Sequence, residues 1–251
     1  MFPTINIGPF VFPTTGLVYI FGMWACLGLV ERAARRLHLN AEATYGLAAA
    51  AVFAGLIGAR LTFVVLYWPA FQENLLSIVW PLTSGYNIWG GLVVGPAAAF
   101  FYGRAKRLPP AATMDALAPG LVAGLVVVSL ADFLAGPGFG TLTMLPWGID
   151  QFGLYRHPVQ IYEIIVGIAA LLLWWWLASR RAFAGQLFLA TAALYSGGRL
   201  FVDAFRANAW LSGSGWHVLQ IISLLAMLAS LLTLAYLNMG ETHETRDIAR
   251  S

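Results

Sequence analysis

Seven long apolar runs, separated by shorter polar stretches, organise this sequence. They lie at about Gly16 to Val30, Ala43 to Tyr67, Asn87 to Tyr102, Met114 to Leu134, Gln160 to Ala178, Gly185 to Phe205 and His217 to Leu237. A helix that crosses the hydrocarbon core of a bilayer needs about 20 largely apolar residues, and the runs approach that length. Transmembrane strands alternate over about 10 residues, whereas these runs are longer and continuously apolar. The pattern predicts an all-α polytopic membrane protein with seven transmembrane helices. They form a single domain over residues 1–240, followed by a polar tail at 241–251 that frays. No basic segment precedes the first run, so it is expected to stay as a mature helix and not to be cleaved as a signal peptide.

Composition sharpens this picture. The chain has 251 residues, of which 60% are hydrophobic and 10% charged, against about 25% charged in a soluble domain. Its single cysteine, Cys26, falls inside the first run and has no intramolecular partner. The placement of charge says more than the net charge of +3. Arg32, Arg35, Arg36, Arg104, Lys106, Arg107, Arg180, Arg181, Arg246 and Arg250 all fall on one side of a seven-helix arrangement. By the positive-inside rule that side is cytoplasmic, which puts the N-terminus outside and the C-terminus inside. Of the 14 Lys and Arg, this leaves Arg60, Arg156, Arg199 and Arg206 within helices or toward the outer face. Four arginines so placed point to an anionic ligand in the outer half. Between the second and third runs, residues 68–86 are aromatic and nearly uncharged, as in an interfacial segment. Residues 136–155 read as an ordered outer loop or re-entrant cap without a helix of its own.

Candidate chemistry concentrates in LYSGGRLFVDAFR, Leu194 to Arg206. Tyr195, Arg199, Asp203 and Arg206 are spaced four, four and three apart, which places them in one stripe on a helix. Ionisable groups at bilayer depth usually face the bundle interior or a water-filled cavity. The stripe is expected to line a polar pocket, with Arg199 and Arg206 as forks for phosphate oxygens and Asp203 holding Arg199. A structural Arg199–Asp203 pair that locks helices together fits the same spacing. A second constellation is RHPVQIYE, Arg156 to Glu163. Pro158 suits the start of a helix, with Arg156 and His157 just outside it and Gln160 and Glu163 on one face. Glu163 near a positive helix end is equally consistent with a plain polar helix start. Asp132, near the end of the fourth run, calls for one of the lone arginines as partner. Asp115, at the start of that run, reads as a solvated first-turn acid. Gly90 and Gly91 permit close approach of a ligand or another helix, with helix contact favoured. The histidines at 38, 157, 217 and 243 are scattered, and no Walker A, HExxH or GxSxG motif occurs, so no metal, cofactor or nucleic acid is expected.

Several of these pieces, in order from about Ile5 to about Leu237, resemble the prolipoprotein diacylglyceryl transferase family. They are INIGPF, GARLTFVVLY (Gly58 to Tyr67), the WGGL glycines, LPWGID (Leu145 to Asp150), RHPVQIYE and YSGGRLFVDAFR. The resemblance implies a multi-pass protein of the bacterial cytoplasmic (inner) membrane. It also implies transfer of the diacylglyceryl group of phosphatidylglycerol to the lipobox cysteine of a pre-lipoprotein, with glycerol phosphate leaving. Arg199 matches the family's essential arginine. Tyr195, Asp203 (a family glutamate) and Arg206 match its neighbours. The expected catalytic residues are Arg199, Tyr195, Asp132 and His157. The expected substrate-binding residues are Arg60, Gly90, Gly91, Gly140, Arg156, Glu163, Asp203 and Arg206.

The chain also departs from the family pattern. Trp89 stands where the family has a histidine before the two glycines. In VSLADFLAGPGFG, Val128 to Gly140, the signature arginine is Ser129, the first asparagine is Asp132 and the glutamate is Pro137. A tyrosine near the start of the first helix is Thr15. Thiol attack requires a thiolate, so another group must accept the proton. Asp132 and His157 are candidates, as is His217, which the resemblance does not supply. An alternative is a catalytically inactive descendant that binds anionic lipid or serves as a structural subunit beside other membrane proteins. A third is a lipid-modifying enzyme with a different headgroup or acceptor.

Overall fold

The computed structural model describes residues 4–7, 10–79, 85–151 and 153–248. Gly8 and Pro9 of INIGPF, residues 80–84 of the predicted interfacial segment, Phe152 of the predicted cap, and Arg250 with residues 249 and 251 of the tail lie outside the described residues.

The apolar runs fold as helices with the expected punctuation. Helix α1, Thr14–Arg36, follows a short hairpin of β1 (Thr4–Ile7) and β2 (Phe10–Pro13). Asn40 caps α2, Ala41–Leu66, by accepting from the Ala43 N–H at 2.9 Å, which satisfies one of the donors a helix start leaves open. Two one-turn helices, α3 (Trp68–Phe71) and α4 (Leu76–Val79), occupy the expected interfacial segment. Asn87 caps α5, Ile88–Ala105, accepting from Trp89 and Gly90. Helix α6, Pro110–Ala135, starts on a proline, which has no N–H to leave unpaired, and stops at Gly136 with φ 99°. A second hairpin, β3 (Ile149–Gln151) with β4 (Leu154–Arg156), lies in the predicted cap. Then come α7 (Val159–Leu177), α8 (Gln186–Asp203) and α9 (Val218–Ile248).

Among the described residues, five helices are long and apolar enough to cross a membrane: α1, α2, α6, α7 and the Val218–Met239 part of α9. Helices α5 and α8 match the third and sixth predicted runs and have 18 residues each, about 27 Å at 1.5 Å per residue. Their apolar character is diluted by Pro96 and Arg104 in one and by Arg199 and Asp203 in the other. Helix α9 runs to Ile248, into the tail at 241–251 that was expected to fray. Loss of hydropathy marks the end of an apolar span, not of a helix, and no proline interrupts the segment.

Successive long helices run antiparallel. Gly22 of α1 meets Val127 of α6 while Gly120 meets Val30; Gly46 of α2 meets Tyr102 of α5 while Gly90 meets Thr62. The starts of α1, α5, α7 and α9 therefore share one end of the bundle, here the top, with the ends of α2, α6 and α8. At the bottom, Ala33, Ala34, Ala116, Ala118, Trp174 and Leu187 form a buried apolar cluster. Asp115 lies within this bottom layer, fully buried, and is not the solvated acid expected. Its carboxylate accepts from the N–H groups of Gly185 (2.7 Å) and Phe188 (2.8 Å). Gly185 has no side chain with which to cap α8, so the open donors of that helix start are satisfied from α6.

Candidate functional site

The stripe on α8 turns inward at the top of the bundle. Arg199 and Arg206 both donate to one oxygen of Glu163, which projects from the first turns of α7. The other oxygen of Glu163 accepts from the Ser129 hydroxyl on α6 at 2.8 Å. Asp203 sits one turn from Arg199 and is fully buried. Its carboxylate is 4.0 Å from Arg199, 3.9 Å from Arg206 Nε and 3.4 Å from His217 Nδ1. The sequence assigned Arg199 to Asp203; the closer acceptor is Glu163, from the neighbouring helix. Tyr195, one turn below Arg199, lies within electrostatic reach of Arg206.

The loops at the top complete the site. Phe139 and Gly140 pair with the segment after α8: the Thr141 N–H donates to Phe205 at 2.8 Å and the Ala207 N–H to Phe139 at 3.1 Å. Gly138, with φ +74°, lies where Asp132 and Arg206 converge. A Cβ there would stand 2.8 Å from Arg206 Nη1 and 3.3 Å from Asp132 Oδ2, so both the backbone conformation and the space require glycine. Gln160 donates to the Pro137 carbonyl at 3.0 Å and ties this loop to α7. Burial pushes the Arg206 guanidinium below its ordinary value, while Asp203 and Asp132 oppose that shift. A guanidinium stays charged in such surroundings. Asp132, Glu163 and Asp203 thus face Arg199 and Arg206, and the cluster has no surplus positive charge of its own.

Other predicted residues lie elsewhere. Arg60 is buried on α2 and donates to the carbonyls of Ser77, Ile78 (2.9 Å) and Gly85 (3.1 Å), so its guanidinium holds the segment after α2. Gly90 and Gly91 pack on α2: a Cβ on Gly90 would stand 2.2 Å from Thr62 Oγ1, and one on Gly91 3.2 Å from the Gly55 carbonyl. Gly140 admits the His157 backbone, whose carbonyl lies 2.2 Å from where its Cβ would be. Arg156 donates to the Gly140 carbonyl at 3.2 Å and covers the Phe139 ring. His157 contacts the Tyr162 hydroxyl at 3.3 Å and stacks near Phe205. Trp89, at the top of α5, meets Trp210 edge-on with ring centres 6.2 Å apart.

Two contributors, Ser129 and Gly138, were not legible as site residues, and for His217 the partner was not. Ser129 reads as a lost arginine until its contact with Glu163 is seen. Gly138 is one glycine among several in its loop until its positive φ is known. The pairing of His217 with Asp203 requires the antiparallel register of α8 and α9. Two donors at the site, Nε of Arg156 and Nε of Arg206, are buried without a hydrogen-bond acceptor in the structure. Such groups are costly to leave unmade, and an anion with several oxygens suits them.

The family comparisons point the same way. The family model for prolipoprotein diacylglyceryl transferase matches residues 3–236. A phosphatidylglycerol–prolipoprotein diacylglyceryl transferase of Clostridioides difficile is 26% identical over 223 residues, covering 89% of this chain and 90% of the relative. The enzyme of that name from Nostoc sp. is 27% identical over 93% of this chain and 88% of its own length. The one from Tropheryma whipplei is 31% identical over 61% of this chain and 62% of its own length. With a match that runs from the first hairpin into α9, the chain belongs to the prolipoprotein diacylglyceryl transferase family.

Proposed function

We propose that this chain transfers the diacylglyceryl group of phosphatidylglycerol to the lipobox cysteine of a pre-lipoprotein, with the top of the bundle at the outer face of a bacterial cytoplasmic membrane. The observation that carries the reading is the convergence of Arg199 and Arg206 on Glu163. Two guanidiniums held at one buried point suit a phosphate that gains charge as its ester bond breaks. Glu163, held by Ser129, fixes the arginines before substrate arrives, and Asp203 limits the cost of burying them. The unfilled Nε donors of Arg206 and Arg156 offer further contacts for phosphate oxygens. Tyr195 adds a hydroxyl below them, and Gly138 and Gly140 keep the covering loop close. Arg60, Gly90 and Gly91 support the reading by shaping α2, α5 and the segment between them.

The test uses the full chain in mild detergent with phosphatidylglycerol and a lipobox peptide. The expected result is a mass gain of one diacylglyceryl group on the cysteine, absent with Arg199→Ala. Removing one such charge-stabilising donor costs about 100- to 1,000-fold. Normal transfer by Arg199→Ala would sink the proposal.

A second reading, a non-catalytic lipid-binding descendant, is favoured by Trp89, which stands against Trp210 where the family has a reactive histidine. Phosphatidylglycerol that co-purifies without any transfer would support it.

A further inference from the structure

Thiol chemistry at this site needs a proton acceptor, and the structure offers one away from the family position. His217 is the last residue before α9. The turn that presents it is tightly built. The Ser212 N–H donates to the Trp216 carbonyl at 2.9 Å, the Val218 N–H to the Trp210 carbonyl at 2.9 Å, and Leu211 pairs with His217 as a β-bridge. Gly215, with φ +82°, closes the turn. This geometry places Nδ1 of His217 3.4 Å from Oδ2 of Asp203.

An ionised carboxylate only accepts hydrogen bonds, so Nδ1 carries the proton in this pair. The lone pair of the neutral ring is then on Nε2, directed away from Asp203. The His217 side chain is one-third exposed, and Nε2 is the ring nitrogen that remains for an incoming group. Asp203 is itself buried beside Arg199 and Arg206. An acid that fixes an imidazole and supports the imidazolium formed on it is the arrangement a general base requires. His157, by contrast, is engaged with Tyr162 and Phe205. The family's histidine position is joined to this turn, because Trp89 rests on Trp210, whose carbonyl anchors the residue after His217.

We propose that His217, oriented by Asp203, is the catalytic base that takes the proton of the acceptor cysteine in place of the histidine replaced by Trp89. The assignment rests on the transferase reading above. In the step, the S–H bond breaks and the proton passes to Nε2 of His217. The sulfur electron pair forms an S–C bond to the glyceryl carbon that carries the phosphate ester. The C–O bond breaks, and its electron pair leaves with glycerol phosphate. The imidazolium then supplies the positive charge that the cluster lacks, at the moment the leaving group gains negative charge.

The experiment compares the wild-type chain, His217→Gln, and the double variant Trp89→His/His217→Gln, each in full length in lipid nanodiscs with phosphatidylglycerol and a lipobox peptide. Rates are measured across pH, and melting temperature is followed for each protein. The charged group facing His217 is Asp203, which is gathered with Arg199 and Arg206 from α8 and its end, the pair that also meets Glu163 of α7. His217→Gln should lower kcat roughly 100-fold or more, the range for loss of a general base, with KM for the peptide little changed. It should also flatten the acid limb that a general base imposes on the rate profile. The double variant returns an imidazole from the α5 side and should regain about tenfold. Wild-type rates in His217→Gln would overturn the assignment. A loss that is equal at every pH would overturn it too, because a structural role lowers all rates alike. A wild-type chain that transfers nothing would bring down the transferase reading itself, whereas an active wild type matched by His217→Gln would bring down only the base.

Discussion

Helices α2 and α5 meet through side chains that are missing, and helices α7 and α8 meet through side chains that are charged. In the first pair, Gly90 faces Thr62, Gly91 faces the Gly55 carbonyl, and Gly95 lies against the Ala51 carbonyl. Gly91 and Gly95, four apart, let the two backbones close on each other. In the second pair, Arg199 and Arg206 of α8 and its end reach across to Glu163 of α7. The contrast separates two uses of the same helical scaffold. Close backbone contact fixes where a helix stands, while buried charge fixes what a helix can hold. Trp89, just before the α5 glycines, is a largely exposed indole, while Arg199, Arg206, Asp203 and Glu163 gather on the α6–α9 side. On the proposed reading the chemistry belongs to that side, and α5 braces it.

The largest expected effect tests the charged pair. Glu163→Ala leaves two guanidiniums buried without their shared acceptor. Breaking a buried pair by removing one partner costs about 3–5 kcal/mol, a large part of any domain's stability. Thermal unfolding in detergent should show the loss directly, and transfer should vanish with it. A variant that melts like the wild type would mean that the arginines have another partner in reach, and the contrast between the two pairs would fail.

A smaller effect is expected from Gly90→Ala. A methyl group there would stand 2.2 Å from Thr62 Oγ1 and 2.7 Å from the Gly58 carbonyl. The hydroxyl can rotate away, but the carbonyl belongs to the α2 backbone and cannot. Alanine gains roughly 0.5–1 kcal/mol over glycine in a helix, while overpacking costs about 1–3 kcal/mol, so the net sign is destabilising. The melting temperature should fall, with the transfer rate of the protein that stays folded little changed. A loss of transfer without a change in melting would mean that Gly90 does more than hold α5 against α2.

How much of this was readable in the sequence follows from how local each feature is. The helices were legible because their apolar runs are long and continuous. The α8 stripe was legible because positions three and four apart share a face on any helix. Glu163 was recognised as a site residue, but its role as the acceptor for Arg199 was not, since partners across helices depend on packing register. Asp115 was misread for the same reason: the helix start that it caps is 70 residues away in the chain. Arg60 was expected among the substrate-binding residues, and its backbone-carbonyl acceptors could not be foreseen because they carry no sequence signature. The two hairpins are strands of three and four residues, too short for an alternating pattern to stand out.

The smallest expected effect concerns Trp89, and it sharpens the comparison most. Its ring is largely exposed and meets Trp210 at an edge. An aromatic pair of this kind contributes about 0.5–1.5 kcal/mol beyond its area. Trp89→Phe keeps an aromatic edge toward Trp210 and removes only the second ring, so it should stay within about 0.5 kcal/mol of the wild type, as most exposed substitutions do. Transfer should then be unchanged within about twofold. Trp89→Ala removes the contact altogether and loosens the turn that carries His217. Its rate should fall several-fold, with the melting temperature moving little, because the turn bears on the position of one imidazole more than on the bundle. The same assay on lipobox peptide, run for both variants, decides the matter. If phenylalanine costs as much as alanine, the indole itself takes part in the chemistry, and the division between a bracing α5 and a reactive α6–α9 side is drawn in the wrong place.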